Sequence, residues 1–171
     1  GGYEYFKDDD NNLYSITQFF PRMAVYSDFQ GWQHLQFTGG SEFALTFGNY
    51  KVKITVPADH IVASTGECKN YAQVLTPTQL QRLQKAKDAK TPEFIVTLDE
   101  AKEASKKKST AKKTWIFEAE NVRDFAFNTS RRLVWDAMTT DIEGKKVWCM
   151  SFYGKEAFPI YSKFSTRAVE H

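Results

Sequence analysis

The chain has 171 residues, of which 42% are hydrophobic and 26% are charged, and its formal net charge at pH 7 is +2. This length is sufficient for one domain with a hydrophobic core. The small net charge gives no reason to expect a nucleic acid or a membrane surface as partner, and no stretch reaches the roughly 18 consecutive apolar residues of a membrane-spanning helix.

Aromatic residues are frequent, with 14 Phe, 8 Tyr and 4 Trp. They favour strands and bury large apolar areas, so the composition predicts a β-rich core. The two cysteines, Cys68 and Cys149, are too far apart in the sequence to form a metal-binding motif. Cys149 lies in an apolar strand pattern that predicts a buried thiol, and a disulfide between the two remains open.

The first strand pattern covers residues 13–20. A polar turn precedes it and Pro21 follows it, which predicts a strand between them. Residues 22–26 are expected to continue in an extended conformation, and residues 27–32 to form a loop with a Gly turn.

The clearest alternation of apolar and polar side chains runs from residue 42 to residue 56. It predicts a strand with one buried face, in which Gly48 marks a bulge or a tight hairpin. Pro57 ends this strand because proline has no N–H to donate. Residues 61–64 predict a second strand, and residues 69–75 are expected to hold one more short strand.

Residues 76–113 differ from the rest in charge and in periodicity. They contain ten Lys or Arg and five Asp or Glu. Helices are predicted over residues 77–88 and 98–107, the second with a capping box formed by Thr97 and Glu100. We interpret this segment as a helical, Lys-rich insertion in the β domain, with its lysines on a solvated face.

Strand patterns resume after this insertion in four short runs separated by turns. Glu143 and Gly144 are predicted to form the turn of the last hairpin. Residues 147–152 are apolar on both faces, which predicts a central strand. The complete pattern predicts a mainly β fold, an antiparallel β-sandwich or saddle, over residues 1–160.

The end of the sequence has a different period. After Pro159, the apolar residues Ile160, Phe164 and Ala168 follow the spacing of one helix face. This predicts an amphipathic helix that is truncated at His171.

No catalytic constellation is recognisable from the residues alone, and no residue is assigned as catalytic or as a metal ligand. The histidines at positions 34, 60 and 171 form no metal-ligand pair, and we interpret His34 and His60 as surface or turn residues. Asp124 and Asp136 lie in aromatic strands, where they could form a paired carboxylate site or could each face solvent.

Three segments carry a more specific pattern: TQFFPRMAVYSD, GSEFALTFGNYKVKITVPADHIVASTGECKN and NVRDFAFNTSRRLVWDA. They combine a Thr-Gln strand before an Arg, a long strand ending in Val-Pro, a strand ending in a Gly turn, and an Asp-Phe-Ala motif. This pattern resembles the N-terminal domain of the membrane-alanyl-aminopeptidase family of zinc peptidases, in its bacterial branch of large exported enzymes. The resemblance covers residues 13–75 and 114–171.

In that family a β-sandwich or saddle domain precedes a thermolysin-like catalytic domain that carries HExxH, and this sequence contains no HExxH. The resemblance implies a non-catalytic fragment that holds no cofactor itself, with zinc in the missing catalytic domain. Residues 161–171 would begin that domain. The implied partners are the catalytic domain of the same polypeptide and the peptide substrate of the parent enzyme, which would be exported to the periplasm or cell envelope.

The resemblance assigns one functional residue, Gln18. The Gln of the family's Thr-Gln strand reaches the substrate cleft, so Gln18 is implied to bind substrate. Many members have a Glu or Gln two residues later that holds the free amine of the substrate. Here that position is Phe20, which cannot pair with an ammonium ion, so aminopeptidase specificity stays open.

Two other functions fit the same residues. A stand-alone β-sandwich could bind carbohydrate or protein through exposed aromatic residues such as Phe29 and Trp32. An inactive family relative could serve as a scaffold or assembly factor. The sequence that follows His171 in the natural protein would separate these alternatives from the peptidase.

Overall fold

The computed structural model describes residues 2–6, 11–34 and 44–171. Strands account for 43% and helices for 26% of the structure, and the strand pairs are antiparallel. The predicted mainly β fold is therefore confirmed.

Twelve strands and four α-helices make up the described fold. The strands are β1 (Gly2–Phe6), β2 (Leu13–Thr17), β3 (Val25–Ser27), β4 (Gly31–Gln33), β5 (Gly48–Pro57), β6 (Ile61–Ser64), β7 (Glu67–Cys68), β8 (Glu93–Val96), β9 (Lys112–Val122), β10 (Phe127–Ser130), β11 (Leu133–Ile142) and β12 (Lys145–Gly154). The helices are α1 (Tyr71–Val74), α2 (Pro77–Ala86), α3 (Leu98–Lys106) and α4 (Phe158–Glu170), and a short 3-10 turn (Lys155–Ala157) precedes α4.

The strands form three sheets and a separate hairpin. The sheet orders are β1-β2-β10-β6, β5-β9-β7 and β12-β11-β8, and β3 pairs only with β4 among the described strands. The main core lies where the three sheets and α2 meet, and Trp115, Trp135 and Phe125 are its largest fully buried side chains. The ring of Tyr71 contacts both tryptophans, at centroid distances of 6.4 Å to Trp115 and 5.8 Å to Trp135. An aromatic core thus joins sheets that are distant in the sequence.

The long strand predicted over residues 42–56 is shorter than its pattern. β5 begins at Gly48, and its pairing with β9 is irregular between Gly48 and Tyr50, as a bulge would make it. Residues 44–47 are not in a strand, and residues 42–43 lie outside the described part of the chain. The strand predicted over residues 61–64 is confirmed as β6.

The short strand predicted over residues 69–75 is wrong, because α1 occupies Tyr71–Val74. β7 leaves its ladder with β9 at Cys68, and the side chain of Asn70 then takes over the contact with that strand. Its Nδ2 donates to the carbonyl of Thr114 at 2.9 Å, and its Oδ1 accepts from the N–H of Ile116 at 2.9 Å. The side-chain hydrogen bonds free the following backbone to turn into a helix.

Both helices predicted within residues 76–113 are present, and each begins with a capping box. Between them β8 pairs with β11 and completes a sheet. Leu83, Ala86 and Ile95 belong to the main core. The Lys-rich segment is therefore integrated into the packing of the β domain.

The central position predicted for the last strand is wrong. β12 is at one edge of its sheet, and β11 is the central strand. β12 nevertheless has apolar residues on both faces because α4 packs against it as well as against β11. The turn predicted at Glu143 and Gly144 is confirmed, with φ of 52° and 77°, as a tight hairpin turn requires.

Candidate functional site

Gln18 lies directly after β2, which ends at Thr17, rather than on a strand as predicted. It is half-buried and has a φ of 47°, a left-handed conformation that is uncommon for residues other than glycine. The turn directs the next two residues into an aromatic cluster. Phe19 packs edge-on against Phe127 with a centroid distance of 5.6 Å, and Phe20 against Tyr50 with 5.7 Å. Phe20 thus has a packing role at this position.

Arg22 joins the Thr-Gln segment to the Asp-Phe-Ala segment. Its guanidinium donates to Asp124 Oδ1 at 3.1 Å, to Tyr50 Oη at 3.0 Å and to the carbonyl of Arg123. Its Cζ also lies 5.3 Å from the centroid of the Phe20 ring, a distance at which a cation is attracted to an aromatic face. Two of the sequence segments that carry the resemblance therefore meet around one arginine.

Asp124 and Asp136 do not form a paired carboxylate site, because they have different partners. Asp124 is in the ion pair with Arg22. Asp136 is only 2% exposed, and its carboxyl accepts from Tyr153 Oη at 2.6 Å and from Thr166 Oγ1. Burial raises the pKa of Asp136, while the two hydroxyl donors partly oppose that rise.

His60 lies in the turn between β5 and β6, as one of its two interpretations has it, but it is buried and is not a surface histidine. Its Nδ1 lies 3.1 Å from Thr129 Oγ1. Burial, together with the nearby Arg131 guanidinium, lowers the pKa of His60 to about 4. The adjacent Asp59 accepts from Arg131 Nε at 3.1 Å and from the N–H of Ser109 at 2.8 Å. This polar cluster fixes the loop after α3 against the sheet.

The segment predicted as a loop over residues 27–32 is part of a hairpin formed by β3 and β4. Tyr26 and Trp32 are opposite each other in the two strands, and their rings meet edge to face at 5.2 Å. Phe29 at the turn is 79% exposed. We call Tyr26, Phe29 and Trp32 the aromatic hairpin surface. His34 follows it and is exposed, with Nδ1 3.0 Å from the carbonyl of Trp32.

Helix α4 presents apolar side chains to solvent. Ile160 is 63% exposed and Phe164 is 59% exposed, and Tyr161 and Val169 are also largely exposed. We call Ile160, Phe164 and the exposed Ala168 the outer face of α4; Tyr161 instead packs its ring against Tyr153 at 5.9 Å, and Val169 lines a cavity beside β12. The predicted apolar spacing is therefore present, but this face points away from the core, and the buried residue of the helix is Thr166.

A cavity of about 770 Å³ lies between β6, α2 and β12. Apolar side chains form most of its wall, among them Leu80 and Leu83 of α2 and Trp148, Met150 and Phe152 of β12. Cys68 also lines it. Cys68 and Cys149 are both buried and free, so no disulfide joins them, and burial raises the pKa of both thiols.

The position of β12 against β6 and α2 forms this cavity, and no local sequence pattern marks it. Sequence reasoning also missed that Asp136 and His60 are buried, because their hydrogen-bond partners, Thr166 and Thr129, are remote in the sequence. A polar residue inside an apolar strand run was the available signal for Asp136.

Within residues 2–6, 11–34 and 44–171, no group of three or more His, Cys, Asp or Glu could hold a metal ion. The zinc implied by the resemblance thus has no ligand set in this part of the chain. None of the described helices is long and apolar enough to cross a membrane. No protein-family model, no curated protein and no solved structure matches the chain.

Proposed function

We propose that this chain is a non-catalytic β domain of an aminopeptidase-like zinc metallopeptidase, which packs on the catalytic domain of the same polypeptide and walls one side of the substrate cleft. The outer face of α4 is the observation that supports it: the resemblance counts residues 161–171 with the catalytic domain, and here they pack on the β sheet with apolar side chains left exposed. Ile160 and Phe164 are more than half exposed on a helix whose opposite side is fixed to the sheet. Covering the exposed part of such a side chain stabilises a complex by about 1 kcal/mol, so a second domain packed here would gain several such contributions.

Two further features agree with this role. The motif segments that carry the resemblance meet at Arg22, which donates hydrogen bonds to Asp124 and to Tyr50. These contacts hold the segments together in the fold. The aromatic hairpin surface offers additional apolar area beyond the three sheets. Exposed apolar patches of this kind mark interaction sites, and the fully buried centre of an interface is its most apolar part.

In this proposal the zinc ion and the general base belong to the catalytic domain, where zinc chemistry activates water for peptide hydrolysis. Gln18 contributes an amide that can donate to or accept from a peptide backbone. Phe20 is packed against Tyr50, so recognition of a free substrate amine would have to come from another residue. We propose Gln18 as a substrate contact on the resemblance and its half-exposed position.

The test uses the natural polypeptide that contains this chain. We expect zinc-dependent hydrolysis of aminoacyl substrates, lost on chelation and restored by zinc. The double variant Ile160→Asp/Phe164→Asp should lower activity strongly, because two carboxylates would be buried in the interface. Ile142→Asp is the control, since Ile142 is also more than half exposed, at 51%, but lies at the C-terminal end of β11, away from α4, and it should retain activity.

Three results bear on separate parts of the proposal. Absence of HExxH from the natural polypeptide, or hydrolysis that does not depend on zinc, would refute the peptidase assignment. Equal activity of the double variant and the control would refute α4 as the interface. An unchanged kcat/KM in Gln18→Ala would remove Gln18 from the substrate site. This chain alone is expected to be inactive.

The aromatic hairpin surface favours a second function, a β-sandwich binding module for carbohydrate or protein. Flat, exposed aromatic rings stack on sugar rings and anchor protein contacts. If this is the function, the isolated chain should bind a polysaccharide or protein ligand, and Phe29→Ala and Trp32→Ala should each abolish binding. Binding of a ligand to the isolated chain, together with loss of that binding in both variants, would favour the binding module over the peptidase domain.

A further inference from the structure

The C-terminal half of α4 is attached to its sheet through one buried carboxyl group. Asp136 on the central strand β11 accepts from Tyr153 Oη on β12 at 2.6 Å and from Thr166 Oγ1 on α4. Asp136 and Thr166 are each only 2% exposed. Side chains from three elements therefore meet at one buried group.

The other contacts of α4 leave this attachment prominent. At its first turn, Phe158 packs against Phe94 with a ring distance of 5.7 Å. Further along, Tyr161 packs its ring against Tyr153 at 5.9 Å and Val169 lines the cavity beside β12, but each of these side chains stays at least half exposed. Arg167 reaches the carbonyl of Lys90 at 2.7 Å, but this hydrogen bond is exposed. A buried hydrogen bond is costly to break, because its partners are left without water, so the contact of Thr166 with Asp136 should dominate the hold on this half of the helix.

We propose that Asp136, Tyr153 and Thr166 form a latch that fixes the C-terminal half of α4 on the sheet and so sets the direction of its outer face. The latch deepens the proposed function, because that face is the surface we assign to the catalytic domain. The latch is formed entirely by residues of this chain. Thr166 is a positioning residue in this scheme, acting through the helix and not on substrate.

The latch contains an ionisable group, so its strength should depend on pH. Burial raises the pKa of Asp136 above its ordinary value of 3.8. Release of α4 would admit water to Asp136 and return its pKa towards 3.8, because the burial that raises it outweighs the opposing hydrogen bonds of Thr166 and Tyr153. The docked helix then binds a proton more readily than the released one, and docking weakens as pH rises from 3.8 through the raised pKa. Tyr153 and the thiol of Cys149 are the buried titratable groups on β12, and burial raises the pKa of each. Lys145 and Lys146 lie at the other end of the strand and are exposed.

Several charged groups of the surrounding elements are in ion pairs. α3 faces β11 with the uncharged Ala101. The pairs are Arg167–Glu170 on α4 at 2.7 Å, Lys85–Glu93 between α2 and β8 at 2.8 Å, and Arg82–Glu100 between α2 and α3 at 2.7 Å.

Hydrogen exchange measured by mass spectrometry on this chain tests the latch. Thr166→Val keeps the side-chain shape and removes the hydroxyl, whereas Thr166→Ser keeps the hydroxyl. Losing one buried hydrogen bond should speed exchange of the amides of residues 165–170 by about tenfold, with β11 and β12 unchanged. Serine should restore slow exchange. An increase below about twofold in the valine variant, or a serine variant as fast as valine, would overturn the proposal.

A second variant tests the ionisable group. Asp136→Asn keeps an acceptor oxygen and the volume but cannot ionise. At each pH, the exchange rate of the α4 amides in the unaltered chain is divided by the rate in Asp136→Asn. This ratio should increase as pH rises, and a ratio that stays constant would overturn the pH dependence. These readouts need no enzyme activity, so they succeed or fail independently of the zinc-peptidase assay.

Discussion

The buried histidine predicts a specific loss of stability in acid. His60 is 5% exposed and hydrogen-bonded to Thr129, and burial lowers its pKa from 6.5 to about 4. Between these two pH values the unfolded chain binds a proton at this site and the folded chain does not. The free energy of unfolding therefore falls as pH decreases below 6.5, and the loss is complete below about pH 4.

The size of this loss follows from the two pKa values. Each tenfold difference in proton affinity is worth about 1.4 kcal/mol, so lowering the pKa of His60 from 6.5 to about 4 corresponds to about 3 kcal/mol. Urea unfolding at pH values from 7 to 4 measures it, with His60→Asn as a reference that cannot titrate. The unaltered chain should lose about 3 kcal/mol more than His60→Asn over this range.

The comparison cancels the titration of the carboxyl groups, because both proteins share them. Thr129→Val provides a second control, since it removes the hydroxyl partner and leaves the imidazole buried. It should be less stable at pH 7 and should keep the acid-dependent loss. Parallel stability curves for the unaltered chain and His60→Asn would show that His60 is accessible or charged in the folded state, and would refute this reasoning.

Two further predictions concern packing. Gly66 has a φ of 84°, and a Cβ there would lie 2.4 Å from the carbonyl oxygen of Glu118, whereas Gly144 has a φ of 77° and open space around it. Gly66→Ala should therefore lower the free energy of unfolding by roughly 3 kcal/mol in urea titrations, against about 1 kcal/mol for Gly144→Ala, and equal costs would contradict the close contact. Cys68 and Cys149 are both buried, so their thiols should react with a thiol reagent within minutes in denaturant but only very slowly in the native protein. Rapid labelling of the native protein would show that one of the two thiols is accessible.

Features that depend on neighbours in the sequence were predictable. The β6 strand, the capping box of Thr97 with Glu100 and the turn at Glu143 and Gly144 each arise from residues a few positions apart. Backbone conformation there is set by local hydrogen bonds and by the φ values that each residue tolerates. The β-rich composition likewise predicted the fold class.

Features that depend on remote partners were not predictable in this way. An apolar pattern on both faces of β12 was consistent with a central strand, but α4 covers one face of an edge strand instead. The apolar spacing of α4 identified a helix without saying which side would meet the core. Gln18 remains a proposed substrate contact, since that role rests on the resemblance and not on any contact within this chain.

The sequence alone therefore determined the elements and the mainly β class, because alternation, caps and turns are encoded over a few residues. The tertiary structure decided which polar groups are buried and which apolar faces are exposed. Asp136 became a buried latch only because Thr166 on α4 lies against it. Burial and electrostatic environment depend on contacts between distant segments, and those contacts give α4 a fixed inner side and leave its apolar outer face exposed.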